Sequence, residues 1–461
     1  MKLACGLMGM LVAVIGIGLV ASAADDDASD ACPSEVTKWL SQCAISLETT
    51  DPTVSLEDLE PLRAIIGDAR IVGLGEQTHG TSQFSEMKHR IFRFLVEEMG
   101  FRLLAFEADW FSVRELNSCL RPGGQAIESA FSSLGYRVWQ TNEVMALLHW
   151  IRGFNEANPD DRPVQLVGAD ILMGVGGVAA LAVDFLRQVD RSAFARFRSV
   201  LESDLIDAWD YLREVFYYGA SDAPPSPGRV EECLGVLDPV MAWLEANEDL
   251  CVAGSSRPEY GLCVRALELA SAELARIALL GEGVIPELDS RFTLERDRIM
   301  AENVAWWLAH LEEPKIAVWA HNGHIARQLS SMEVFIPMGQ HLGDVFGDEY
   351  LAIGFSFAEG TLTAWDGRSR DPRTFVAEAL IAGCYEACFE TTGIPLFAAD
   401  LRDLDLGSAS HAWMTAERGF RMISSYYGPD DLGWEYPIVL PASYDVIVHV
   451  QTSTPALQWA P

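Results

Sequence analysis

Positive charge is scarce in this sequence. Lys and Arg number 33 against 67 Asp and Glu, a formal net charge of −34 over 461 residues. Such a surface repels phosphate backbones and anionic membranes, which argues against nucleic acid as a partner and against polyanionic substrates. Several signatures are missing as well. There is no H-E-x-x-H pair of the zinc proteases. "GFSFA" around Ser356 misses the G-x-S-x-G nucleophile elbow. Gly174, Gly176 and Ala179 fit G-x-G-x-x-A, but the first Gly lies well past the preceding strand, which argues against a dinucleotide site. Cys384 and Cys388 have no second pair to complete a metal site. No internal repeat and no long low-complexity segment is present.

Long apolar runs are confined to the N-terminus. Lys2 is the only charge before Asp25, and the apolar stretch Leu3 to Val20 runs into Ala21-Ser22-Ala23, a small-x-small cleavage pattern. Residues 1–23 are expected to be a signal peptide, with the mature chain secreted or periplasmic and without a stable membrane span. An uncleaved anchor is the alternative. Cys5 leaves with the signal and eight cysteines remain. Cys32/Cys43, Cys251/Cys263 and Cys384/Cys388 are close in sequence and can pair in an oxidising compartment. Cys119 and Cys233 read equally well as buried thiols.

Hydrophobic residues make up 49% of the chain, enough for a large core. Residues 24–59 read as a tether and a first helix. From 60 to 176 the pattern alternates. "ARIVGLG", "FRLLAFEAD" and "PVQLVGAD" are apolar strand candidates. Between the first two, Phe84, Met87, Ile91, Phe94 and Leu95 share one side of a helix that stops at Gly100. Strands apolar throughout, alternating with helices, predict an α/β fold with a central, largely parallel sheet flanked by helices. Residues 177–289 read as an all-helical insertion. Strands return over 290–461 as "KIAVWA", "YLAIGFSF", "TLTAW" and "YDVIVHV".

Four apolar runs end in titratable groups: Glu76 and His79, then Glu107 and Asp109, then Asp170, then His321 and His324. Ligands of open parallel sheets bind beyond the carboxyl ends of the strands. If these four ends are neighbours, carboxylates and imidazoles share one site, a combination suited to acid–base chemistry near neutral pH. A single His at a strand end is otherwise an ordinary hydrogen-bonding residue. Trp110, Trp139, Trp306, Trp307 and Trp319 are open to two readings, pocket lining or core.

The stretches "GLGEQTHG", "LVEEMGFRLLAFEADW", "VWQTNEVMALLHWIRGFN", "VGAD", "RDRIMAENVAWWL", "VWAHNGHIAR", "IPMGQHL…YLAIGFSFAEG" and "YDVIVHV" resemble the erythromycin esterases and their broader relatives over about residues 60 to 450. The resemblance implies a hydrolase that needs no metal or other cofactor, in which a His-activated water opens an ester or macrolide lactone. It places the base at His79, with Glu76 and Glu107 as carboxylate neighbours and His321 assisting. His324, Lys88, Arg90, Asp109, Asp170 and Trp139 would bind or support. Where the family often has a Glu and an Arg after the motif His, this chain has Gln83 and Lys88, and Lys lacks the planar fork of Arg. Two other classes stay open: a metal- or haem-binding protein like the more distant TIKI-type proteases and ChaN-type proteins, and an exported binding protein without catalysis.

Overall fold

The structure, a computed structural model, describes residues 32–135, 137–217, 226–279, 290–329, 335–366, 371–404, 407–427 and 435–460. Residues 1–23, expected from the sequence to be a signal peptide, lie outside the described residues. Among the described residues twelve strands run in chain order: β1 (Ile45–Ser46), β2 (Ile71–Leu74), β3 (Leu103–Asp109), β4 (Gln165–Asp170), β5 (Ile316–Trp319), β6 (Tyr350–Asp366), β7 (Pro372–Val376), β8 (Leu396–Asp400), β9 (Arg418–Arg421), β10 (Tyr426–Tyr427), β11 (Glu435–Ile438) and β12 (Val446–Ser453). The main sheet has the order β1-β8-β12-β6-β2-β5-β3-β4, with β7 and β10 added to β6, while β9 and β11 form a separate pair. From β12 to β4 all neighbours are parallel. Only β8, β1 and β7 join the main sheet antiparallel. The fold is α/β, as the apolar strands predict.

Strand order positions the site. The chain leaves β2, skips one place to β3 and β4, and returns much later to put β5 into the gap. The carboxyl ends of β2, β5, β3 and β4 are therefore side by side at a reversal of strand order, where an open α/β sheet offers its ligand crevice. Alternate residues feed two cores. Ile71, Leu103, Ala105 and Val318 face the helices of residues 176–278, and Val72, Leu104, Phe106 and Trp319 face the helices Ser82–Met99 and Asn142–Ala157. Each core excludes water from one side of the sheet, which leaves the strand ends as the accessible edge.

Local sequence explains the elements that matter. The helix Ser82–Met99 buries Phe84, Met87, Ile91, Phe94 and Leu95, and Gly100 ends it at φ +77. Only glycine takes that left-handed turn without strain. "YLAIGFSF" and "TLTAW", expected as two strands, form one, β6; Gly360 at φ +121 lets it bend, so its first part pairs with β2 and β12 and its second with β7 and β10. Trp110 and Trp307 belong to the core under the residue 176–278 helices, and Trp306 packs against it, so these three are not pocket residues.

The cysteines correct the sequence expectation. Cys32 is bonded to Cys388, 356 residues away, and neither Cys32/Cys43 nor Cys384/Cys388 forms. The helix Ser34–Cys43 separates Cys32 from Cys43, by about 16 Å at the rise of an α-helix. Cys251 and Cys263 are buried thiols, as are Cys119 and Cys233.

Gly75 marks a tight crossing beside the site. A Cβ there would lie 2.1 Å from Asn322 Oδ1, and Asn322 uses that side chain to pair with the backbone of Phe355 through bonds of 2.8 and 3.1 Å. Gly75→Ala is expected to destabilise the fold by about 1–3 kcal/mol, the usual cost of overpacking. Urea unfolding of the variant beside the parent checks this.

Candidate active site

Glu76 follows β2 and sits at the centre of a three-residue chain. Its Oε1 is 2.6 Å from His79 Nδ1 and its Oε2 2.7 Å from Lys88 Nζ. Glu76 is held in place from behind, because its carbonyl accepts the Asn322 N–H at 2.8 Å. The carboxylate fixes the His79 proton on Nδ1 and leaves Nε2 as the basic nitrogen. The His79 side chain is 9% exposed while Glu76 and Lys88 are sealed. Lys88 extends from the helix Ser82–Met99 and lies 4.3 Å from the Trp319 ring centre and 5.8 Å from that of Trp139. Burial pulls its ammonium down to about 8, with Glu76 opposing.

A second cluster lies beside the first. β3 carries one extra residue against β4: Phe106 pairs with Gly168, then Asp109 with Asp170. Glu107 lies within this irregular stretch. Its carbonyl accepts Trp139 Nε1 at 2.7 Å. Its Oε2 accepts the backbone N–H of His321 at 2.8 Å, and its Oε1 lies 3.0 Å from Arg296 Nη2 and 3.3 Å from His324 Nε2. Burial works against the charge, but His324, His79 and Arg296 outweigh it and hold the carboxyl well below its ordinary range.

Two carboxylates face His324. Burial opposes its charge, yet Asp297, 2.8 Å from Nδ1, and Glu107 push it up to about 10. Arg296 Nη1 comes within 3.0 Å of His324 Nε2. Arg296 also grips Asp170 with two bonds, of 2.9 and 2.5 Å. Four carboxylates (Glu76, Glu107, Asp170, Asp297) thus enclose Lys88, Arg296 and His324.

His321 is brought to the site, its ring centre 5.2 Å from that of His79. Its ring nitrogens are both engaged. Nε2 donates to the carbonyls of Gln77 and Ile423 at 3.2 and 3.1 Å, and Nδ1 accepts the Gly323 N–H at 3.1 Å. Burial, then the neighbouring His79, pulls it down to about 4. His321 is a neutral, hydrogen-bonded wall rather than a second base. Trp139 forms another wall, edge-on to His79 at 4.8 Å.

Two expected site residues stand outside this group. Arg90 is two residues past Lys88, which turns it to another side of the helix. There it bonds the carbonyls of Thr49 and Ser55 and both oxygens of Asp58, fastening the N-terminal segment. Asp109 accepts the N–H and hydroxyl of Ser112 and the N–H of Met173, tying together the loops after β3 and β4. Gln83 bonds Thr454 at the rim. Sequence reasoning missed Arg296 and Asp297. The available signal was their position: in the helix Ser290–His310 they continue N-terminally the buried stripe of Met300, Val304 and Trp307. A charge on a buried stripe needs partners.

His321 and His324 offer no ring nitrogen to a metal or haem, because both nitrogens of each are taken. Among the described residues, no group of three or more His, Cys, Asp or Glu is arranged to hold a metal ion.

The sequence pattern of the erythromycin esterase family matches residues 96–453, and the chain belongs to that family. It is 25% identical to erythromycin esterase type II of Escherichia coli over 344 residues, 71% of this chain and 78% of that one. A solved structure of a Bacillus cereus protein superposes with a TM-score of 0.80 at 27% identity, covering 92% of this chain and 99% of the other. An erythromycin esterase mutant in its open conformation gives a TM-score of 0.69 at 18% identity over 90% and 98%, a likeness of fold.

Two outcomes follow for the charged cluster. Arg296→Met leaves Asp170 and Glu107 buried without their cation and is expected to cost about 3–5 kcal/mol in urea unfolding. The His324 proton is bound more tightly in the folded than in the unfolded chain, whose ordinary value is 6.5. Its stabilisation is full below that value and is lost as pH rises towards about 10. The stability gap between the parent and His324→Gln therefore narrows over that window, measured by unfolding at successive pH values.

Proposed function

We propose that this chain is an exported carboxylic ester hydrolase in which His79 activates water. The observation that carries the reading is the His79–Glu76–Lys88 chain, with Nδ1 held by a carboxylate in a side chain that is 9% exposed. Family membership supports hydrolase chemistry. In the step, His79 Nε2 takes a proton from water as the oxygen bonds the acyl carbon. The acyl carbon–oxygen bond then breaks, and the same proton passes to the leaving alkoxide, giving an acid and an alcohol, or one ring-opened hydroxy acid from a lactone. No covalent nucleophile enters, in keeping with the missing serine elbow, and no metal is needed. Lys88 supplies the charge opposite Glu76 without the two-pronged grip of an Arg. The name of the Escherichia coli relative makes macrolide lactones the first substrates to test.

Export is supported by the apolar run with its Ala-Ser-Ala pattern and by the Cys32–Cys388 bond, which suits an oxidising compartment. Edman sequencing of protein recovered outside the cytoplasm is expected to begin at Ala24; a start at Met1 contradicts cleavage.

Incubation with a panel of macrolides and simple lactones in heavy-oxygen water, read by mass spectrometry, tests the chemistry. One labelled oxygen in the acid product is expected, with kcat reduced about a hundred- to ten-thousand-fold in His79→Ala, the usual worth of a general base. An unlabelled acid, or full activity without His79, contradicts the reading.

A further inference from the structure

Behind the base lies a second buried carboxyl that the chemistry above does not use. Gln77 stands between Glu76 and His79 and is fully buried. Its amide nitrogen donates to Glu386 Oε1 at 2.6 Å, and its amide oxygen accepts the Phe357 N–H at 3.0 Å. Glu386 Oε1 takes a second donor, the Arg421 N–H, at 2.8 Å. The Gln77 carbonyl in turn accepts the Ile423 N–H at 2.7 Å and His321 Nε2 at 3.2 Å. One residue, through its side chain and its carbonyl, thus ties the loop of the base to β6, to the helix Tyr385–Glu390 and to the segment after β9. That helix is itself pinned at Cys388 by the bond to Cys32.

We propose that Glu386 is a positioning residue for the reaction at His79, acting through the Gln77 side chain; this rests on the reading of His79 as the base. Glu386 never touches the reacting atoms. Its oxygen fixes the Gln77 amide, the amide fixes the backbone between Glu76 and His79, and the Gln77 carbonyl fixes the ring of His321 against His79. An acceptor oxygen at this place is what the geometry requires, and a neutral one serves. Burial pushes the Glu386 carboxyl up, and its Oε2 has no hydrogen-bond partner among the described residues.

Glu386→Ala, Glu386→Gln and Gln77→Met separate positioning from plain stability. Met keeps the length of Gln77 while removing both hydrogen bonds, and carries the test should the Ala variant fail to fold. Two quantities are read well below the melting temperature. One is kcat and KM for ester hydrolysis. The other is the rate at which diethyl pyrocarbonate modifies His79, followed by peptide mass spectrometry, which needs no turnover. Glu386→Ala and Gln77→Met are expected to lower kcat about 100-fold with little change in KM, the scale of a small misplacement, and to change the His79 modification rate. Glu386→Gln recovers most of both. Parental kcat and parental modification rate in folded Glu386→Ala or Gln77→Met overturn the proposal, as does a Gln variant as impaired as the Ala variant. If the parent hydrolyses no ester, the esterase reading fails while the modification rates still decide the positioning role.

Discussion

Glu107 is the constraint on which the site depends. A carboxylate buried near the end of a parallel strand is unfavourable unless several donors meet it. Three groups satisfy it: the His321 backbone, Arg296 and His324. Those partners come from β5 and from the helix Ser290–His310, far along the chain from β3. Meeting the needs of one carboxylate therefore assembles the site. Asp170 and Asp297 extend the same logic by holding Arg296 and His324 on their far sides.

The two imidazoles that face each other are made unequal by this arrangement. His321 spends both ring nitrogens on backbone partners and is kept neutral by burial. His79 spends only Nδ1, on Glu76. The division leaves one basic nitrogen at the edge of a dry, charged cluster, the condition under which a base and its oriented water act efficiently. Lys88 completes it by neutralising Glu76 from the sealed side, stacked between two indole rings.

Much of this is legible in the sequence, for physical reasons. β2 to β5 are short apolar runs because both faces of a parallel sheet are covered, and the helix Ser82–Met99 shows its period because one side meets the core. The titratable groups at four strand ends are visible for the same reason: polarity begins where burial by the sheet ends. What escapes is non-local. The Cys32–Cys388 bond and the β8 and β1 pairings are set by tertiary contact alone. Arg90 and Lys88 look interchangeable in a linear reading, and the turn of the helix separates them. Arg296 and Asp297 look like surface charges until the stripe they continue is seen to be buried.

The protonation pattern of the three histidines tests the central claim most directly. Nitrogen-15 NMR of histidine-labelled protein at neutral pH reads it without any substrate. The account predicts His324 protonated on both nitrogens, His321 neutral with its proton on Nε2, and His79 with a proton on Nδ1. A neutral His324, or a His79 whose proton sits on Nε2, contradicts it.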